Sequence, residues 1–166
     1  MDYEFKPGEM RDLPQVYDII DERIHWMDEV GIQQWNVTDY WECYPKNYYE
    51  KAVHDHRLYV LKETDSGQVA AVAVLYEKDD RWKNQQGPAA YYVHHLAVKL
   101  GKKGAGKAML TYCEKLAASH KKEYLRLDCA IDNPKINAYY DQLQYDYAGT
   151  CIDGKYTGNL RQKKII

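Results

Sequence analysis

The segment Gly101–Ala108, GKKGAGKA, holds the residues best spaced for chemistry. Gly101, Gly106 and Lys107 stand in the register of a nucleotide-binding P-loop, G-x-x-x-x-G-K-[ST]. Ala108 breaks the pattern, because it has no hydroxyl to hold the Mg²⁺ that phosphoryl transfer needs. No later strand ends in a clear metal-binding Asp; Asp128 falls in mid-strand. What remains is an anion site. A strand, a glycine turn and a helix leave the first-turn N–H groups without intrahelical partners, and the helix dipole adds partial positive charge there. Glycines at 104 and 106 let the backbone come close to a ligand. A purely structural glycine turn is the competing reading.

Histidines supply the next candidates. Histidine is the side chain whose unperturbed pKa suits a general base near neutrality, which makes His94 a candidate, and Tyr92 shares its face and could relay a proton through water. A structural strand histidine is the alternative. Adjacent strand residues point to opposite faces, so at most one of His94 and His95 faces a given substrate. His54 and His56 form H-x-H without a third ligand, and no metal site is expected.

Composition narrows the class. The chain of 166 residues is 45% apolar and 29% charged, as for one ordinary globular domain covering residues 1–166. No run is long and apolar enough to span a membrane, and MDYEFKPGEM does not read as a signal peptide. Cys43, Cys113, Cys129 and Cys151 form no C-x-x-C pair, which suits reduced thiols and a cytoplasmic location. The net charge of −2 argues against a nucleic-acid binder. Its distribution is uneven. Residues 1–60 carry 13 acidic against 6 basic side chains, and residues 99–126 carry 8 basic against 2 acidic. The second segment would attract a polyanion, unless the asymmetry is only that of solvated faces.

The elements that must position these groups are legible from periodicity. Residues 3–6 read as a strand. Asp12 reads as an N-cap and Gly31 as the stop of a helix with Leu13, Val16, Tyr17, Ile20, Ile24 and Met27 on one face. Residues 31–45 read as loop, and 45–54 as a second helix. RLYVLKE and QVAAVAVLYE form a hairpin across DSG. A polar loop over 79–88 precedes the strand 90–98. A helix begins at Gly104, and YLRLDCAI (124–131) is a strand. Asp132 or Asn133 caps a short helix. YDYAGTCI and KYTGNLRQKK form a final hairpin over Asp153–Gly154. The order β-α-α-β-β-β-α-β-α-β-β predicts an α+β fold, with a mixed, largely antiparallel central sheet flanked by helices.

On these residues the chain resembles the GCN5-related N-acetyltransferases. LAVKLGKKGAGKAML resembles that family's motif A, a strand, then [RQ]-x-x-G-x-[GA], then a helix. The match falls on Lys103, Gly104, Ala105, Gly106, Lys107 and Ala108, with Lys103 in place of Arg or Gln. NPKINAYYDQLQY (133–145) resembles motif B, N-x-x-A-x-x-L-Y-x-x-x-G-F, through Asn133 and Tyr140. Ile136, Tyr139, Gln144 and Tyr145 depart from it, and Gln144 puts the usual glycine turn in question. GIQQW at 31–35 looks like a feature of a bacterial subgroup.

The resemblance implies the acyl-CoA N-acyltransferase fold and direct transfer of acetyl from acetyl-CoA to a primary amine of a small molecule or peptide. It implies that Leu96, Ala97 and Val98 offer backbone groups to pantetheine, that residues 103–108 hold the pyrophosphate, and that no metal takes part. Lys102, Lys103 and Lys107 either steer the CoA phosphates or are simply solvated. Asn133 contacts pantetheine or caps its helix. Tyr140 donates a proton to the CoA sulfur or fills the core beside Ile136 and Leu143. His94 falls where arylalkylamine acetyltransferases also carry His, and is the candidate base. Trp35, Tyr40, Trp41 and Tyr44 line an acceptor cleft, serve as core, or form a cation–π surface. The resemblance also admits a homodimer, and a non-catalytic CoA-binding regulatory module on the same fold.

Overall fold

The computed structural model describes residues 2–166. Its elements run β1 (Tyr3–Pro7), α1 (Leu13–Val30), α2 (Tyr40–Cys43), α3 (Lys46–His54), β2 (Leu58–Glu63), β3 (Val69–Tyr76), β4 (Ala90–Val98), α4 (Ala105–Ser119), β5 (Tyr124–Ala130), α5 (Pro134–Gln142), β6 (Asp146–Asp153) and β7 (Tyr156–Lys164). The seven strands form one sheet in the order β1-β2-β3-β4-β5-β7-β6. β1–β2, β2–β3, β5–β7 and β6–β7 pair antiparallel; β4 and β5 pair parallel, Ala90–Tyr92 against Tyr124–Arg126. The expected mixed, largely antiparallel α+β fold is the one observed.

Two compact units are distinguishable. The first comprises the chain up to Leu75 together with His94–Tyr112, and the second comprises Tyr76–Val93 with Cys113–Ile166. In the first, α1 buries Leu13, Val16, Ile19, Ile20 and Met27, its helical-period face. It ends at Gly31, whose φ of 78° is the left-handed stop expected there. β3 is buried along Val69–Leu75, a continuous apolar run rather than an alternation. Asp12 does not cap α1 through its side chain. Its buried carboxylate accepts from the Glu9 amide and pairs with Lys62 at 2.8 Å, tying the helix entrance to β2. The predicted loop over 31–45 contains a 3₁₀ turn, Trp35–Val37, and the four-residue α2. Helices this short carry no readable period.

In the second unit the core gathers Trp82, Ala90, Tyr92, Cys151 and Leu160. Arg126 is buried among them with its guanidinium 4.5 Å from the Trp82 ring centroid. It donates to the Gln85 carbonyl, the Tyr92 hydroxyl and Gln162 Oε1, three bonds that offset the cost of burying the charge. The predicted polar loop over 79–88 contains a 3₁₀ turn, Asp80–Gln85, that brings Trp82 into this core.

Candidate active site

The first unit holds the end of β4 and the glycine loop. Gly104 has φ 81°, a conformation that costs a side-chain-bearing residue about 1–2 kcal/mol. That turn feeds α4, whose helix starts at Ala105, one residue after the predicted start. The Ala105 amide donates to the Lys102 carbonyl and the Ala108 amide to Gly104. The Gly106 and Lys107 amides, in the first turn, are the ones left to face an anion. Lys103 and Lys107 are exposed beside them. Lys102 is committed elsewhere. Its ammonium lies 2.7 Å from the buried Glu63 carboxylate, whose hydrogen bond raises the lysine pKa above its ordinary value.

Helix α1 fastens the strand that leads into this loop. Arg23 Nε donates to the Val98 carbonyl at 2.6 Å while its guanidinium lies 4.8 Å from the Trp26 ring centroid. Burial lowers the Arg23 pKa from its ordinary value. Glu22 Oε1 accepts from the Leu100 amide at 2.7 Å, and the Lys99 amide donates to the Ala70 carbonyl. Of the three expected pantetheine-facing residues, Ala97 is buried, Leu96 and Val98 are half-buried, and the Val98 carbonyl is engaged by Arg23. No motif flagged Glu22 or Arg23, because their partners lie more than 70 positions away.

His94 and His95 do not follow simple alternation. His95 has φ 55°, and both side chains are half-buried with ring centroids 6.1 Å apart. Of Trp35, Tyr40, Trp41 and Tyr44, read from the sequence as cleft lining, core or a cation–π surface, Tyr40 is core and the other three pack around it. Tyr40 is buried, with centroids 4.9, 5.4 and 5.3 Å from the other three. Beside them, Pro14, Tyr17, Asp18 and Asp21 on one face of α1 bound a cleft of about 480 Å³ with Trp41 and Lys46. Trp41 Nε1 donates to Asp21, which fixes the indole at the cleft wall.

The second unit holds motif B. Asn133 caps α5, its Oδ1 accepting from the Ile136 amide at 3.2 Å. Tyr140, two turns on, is 7% exposed, and no described residue hydrogen-bonds its hydroxyl. Burial drives its pKa far above that of an ordinary tyrosine, so it stays protonated. Asn137 holds the assembly together. Its Oδ1 accepts from Asn159, Arg161 and the Cys129 thiol, and its Nδ2 donates to the Ala130 and Asn133 carbonyls. Arg161 also pairs with Asp141 at 2.6 Å and donates to the Tyr145 carbonyl. Asn137 lies one turn after Asn133 and was readable only as a polar helix residue. Arg161 gave no signal in its hairpin.

The chain is similar to known acetyltransferases. The acetyltransferase (GNAT) family pattern matches residues 16–145. YesJ of Bacillus subtilis (strain 168), an uncharacterised N-acetyltransferase, is 21% identical over 96% of this chain and 88% of its own length. An acetyltransferase of that family from Listeria monocytogenes 4b F2365 superposes with a TM-score of 0.78 at 21% identity, covering 98% of this chain and 94% of its own. The PaiA N-acetyltransferase of Thermoplasma acidophilum, solved in complex with coenzyme A, superposes with a TM-score of 0.75 at 17% identity over 99% of both chains. The chain belongs to the acetyltransferase (GNAT) family and is an acyltransferase that draws on a CoA thioester.

Proposed function

We propose that the protein transfers the acetyl group of acetyl-CoA directly to a primary amine of a small molecule or peptide. The observation that carries this is Tyr140. It stands at the motif B tyrosine, buried, held protonated by its surroundings, and with a hydroxyl that no described residue engages. A protonated phenol with no partner among the described residues can hydrogen-bond to a departing thiolate and give up its proton to it, although burial makes it a weaker acid than an ordinary tyrosine. Acetyl-CoA supplies the activated carbonyl. The amides of Leu96–Val98 orient and polarise it, those of Gly106 and Lys107 take the pyrophosphate, and Lys103 and Lys107 add charge. Asn133, whose side chain caps α5, is the candidate pantetheine contact. His94 is the candidate base for the acceptor amine. The acidic first 60 residues and the Asp18–Asp21 cleft favour a protonated amine in solution. Four cysteines free of disulfides fit a cytoplasmic site of action.

The test is a thermal-shift comparison of acetyl-CoA, CoA and Mg-ATP, since a ligand of the native state raises its melting temperature. Shifts with both CoA species and none with Mg-ATP are expected. No shift with either CoA species overturns the proposal. Binding without thiol release across an amine panel would make the protein a CoA-responsive module instead.

A further inference from the structure

The last peptide of β4 reaches in two directions. The Lys99 amide donates to the Ala70 carbonyl on β3 at 2.9 Å. A trans peptide sets its C=O opposite its N–H, so the Val98 carbonyl faces the other edge of the strand. β4 pairs with β5 over Ala90–Tyr92, well before Val98. At Val98 it is α1 that meets this edge, through Arg23 Nε. A guanidinium presents its N–H donors in a rigid, planar fork. Arg23 uses Nε on Val98, and no described residue takes its Nη groups. The Trp26 ring lies against the guanidinium face and the side chain is half-buried, so the fork is held in place and salt screens it little. The neighbouring carboxylate is already occupied. Glu22 Oε1 accepts from the Leu100 amide, and Oε2 lies 3.9 Å from the Lys99 ammonium. All of these residues belong to the first unit.

We propose that Arg23 binds the pyrophosphate of the CoA donor, its Nη groups adding a cationic fork to the amides at the start of α4. The inference rests on the acetyl transfer proposed above. Between the strand end that Arg23 holds and the helix lie two successive short turns. The Lys102 amide closes one on the Lys99 carbonyl and the Ala105 amide closes the next on Lys102. A turn of this kind brings its ends within about 7 Å, so the start of α4 stays near the end of β4. The Gly106 and Lys107 amides follow at once, without intrahelical partners. Phosphate oxygens accept paired N–H bonds from a guanidinium, whereas an ammonium offers a point charge on a flexible stem. Lys103 and Lys107 are of the second kind, and both are exposed. Lys103 stands where the resembled motif carries Arg or Gln, so the loop itself has no fork. Arg23 supplies one from α1, at a place that no loop motif reveals.

The experiment compares CoA, 3′-dephospho-CoA and pantetheine, which share the pantetheine arm and differ in their phosphates. Affinities for the wild type, Arg23→Gln and Arg23→Lys are read from amide NMR titrations, which reach weak binding. Arg23→Gln should weaken CoA and 3′-dephospho-CoA alike, roughly 10–10²-fold, as for lost hydrogen bonds between charged groups, and leave pantetheine within about twofold. Arg23→Lys keeps the charge and loses the fork, and should fall in between. An equal loss for all three probes would make Arg23 a prop for the strand alone. A loss confined to CoA would assign it to the 3′-phosphate. Either result overturns the proposal, as do unchanged affinities throughout, and each leaves the acetyltransferase reading standing. Should Arg23→Gln fail to fold, wild-type protein labelled with ¹⁵N-arginine decides, with Arg23→Lys giving the assignment. Saturation with 3′-dephospho-CoA should shift the Arg23 Nη signals and pantetheine should not; Nη signals unmoved by the bound nucleotide overturn the proposal. If the wild type binds neither CoA nor 3′-dephospho-CoA, the acetyltransferase reading itself fails and this inference falls with it.

Discussion

Tyr140 and Tyr145 lie 5.8 Å apart, and burial pushes both phenols well above the ordinary tyrosine value. Their hydroxyls differ. Tyr145 donates to Glu114 at 2.8 Å, and Glu114 also pairs with Lys163 at 3.0 Å, so that phenol is part of the scaffold. Tyr140 has no such engagement among the described residues. The pair is therefore a matched control. Tyr140→Phe should lower kcat roughly 10–10³-fold, in the range of a lost proton donor, with little change in melting temperature. Tyr145→Phe should cost about 1.5–3 kcal/mol of stability, for a hydrogen bond to a charged group, and leave kcat within about twofold. Equal effects of the two on kcat would remove Tyr140 from the chemistry. The cysteines near this site stay out of it. Burial pushes the Cys113 thiol up to about 12 and the Cys129 thiol up to about 11, so neither is a thiolate nucleophile at neutral pH.

Among elements, the motif B turn shows how a departure from a family pattern is absorbed. Gln144 stands where the family has glycine, and it adopts φ 67° all the same. The turn is closed by the Gln144 amide on the Asp141 carbonyl and the Tyr145 amide on the Tyr140 carbonyl at 2.9 Å. Tertiary context therefore imposes the left-handed step, and Gln144 bears its cost. Gln144→Gly should stabilise the protein by about 0.5–1 kcal/mol and raise Tm by roughly 1–4 °C, read by calorimetry. A lower Tm would show that the glutamine side chain contributes more than the turn costs. The long elements were legible because their apolar periods are long, as in α1 and β3. The motifs were legible because a glycine turn and a capping Asn have fixed local jobs. His95 was not. A strand read by alternation sends it opposite to His94, and nothing in AYYVHHLAV announces a positive φ. The helix α2 escaped for a similar reason, since four residues make no period, yet it supplies Tyr40, and its C-cap Tyr44, to that histidine. Asn137 and Arg161 were hidden because their network joins positions 24 apart.

At the scale of the whole chain, charge is divided along the sequence, and the structure decides which charges are available. Residues 99–126 hold 8 basic against 2 acidic side chains. Several are spent internally. Lys102 is paired with Glu63, Lys122 with Glu77 at 2.8 Å, and Arg126 is buried in its aromatic setting. Lys103 and Lys107 remain exposed at the glycine loop, beside the helix amides that lack intrahelical partners. Binding of a polyanion such as acetyl-CoA should then rest partly on two screened lysines and partly on unscreened backbone N–H groups. Acetyl-CoA affinity, measured by titration calorimetry, should fall roughly 3–10-fold between about 50 mM and about 500 mM salt. Lys103→Gln with Lys107→Gln should flatten that dependence while leaving measurable binding from the amides. Lys102→Gln should instead lower Tm, because it leaves the Glu63 carboxylate buried without its cation, and should barely alter the salt dependence. A steep salt dependence that survives loss of Lys103 and Lys107 would place the phosphate contacts on other cations, and the glycine loop would lose its assignment.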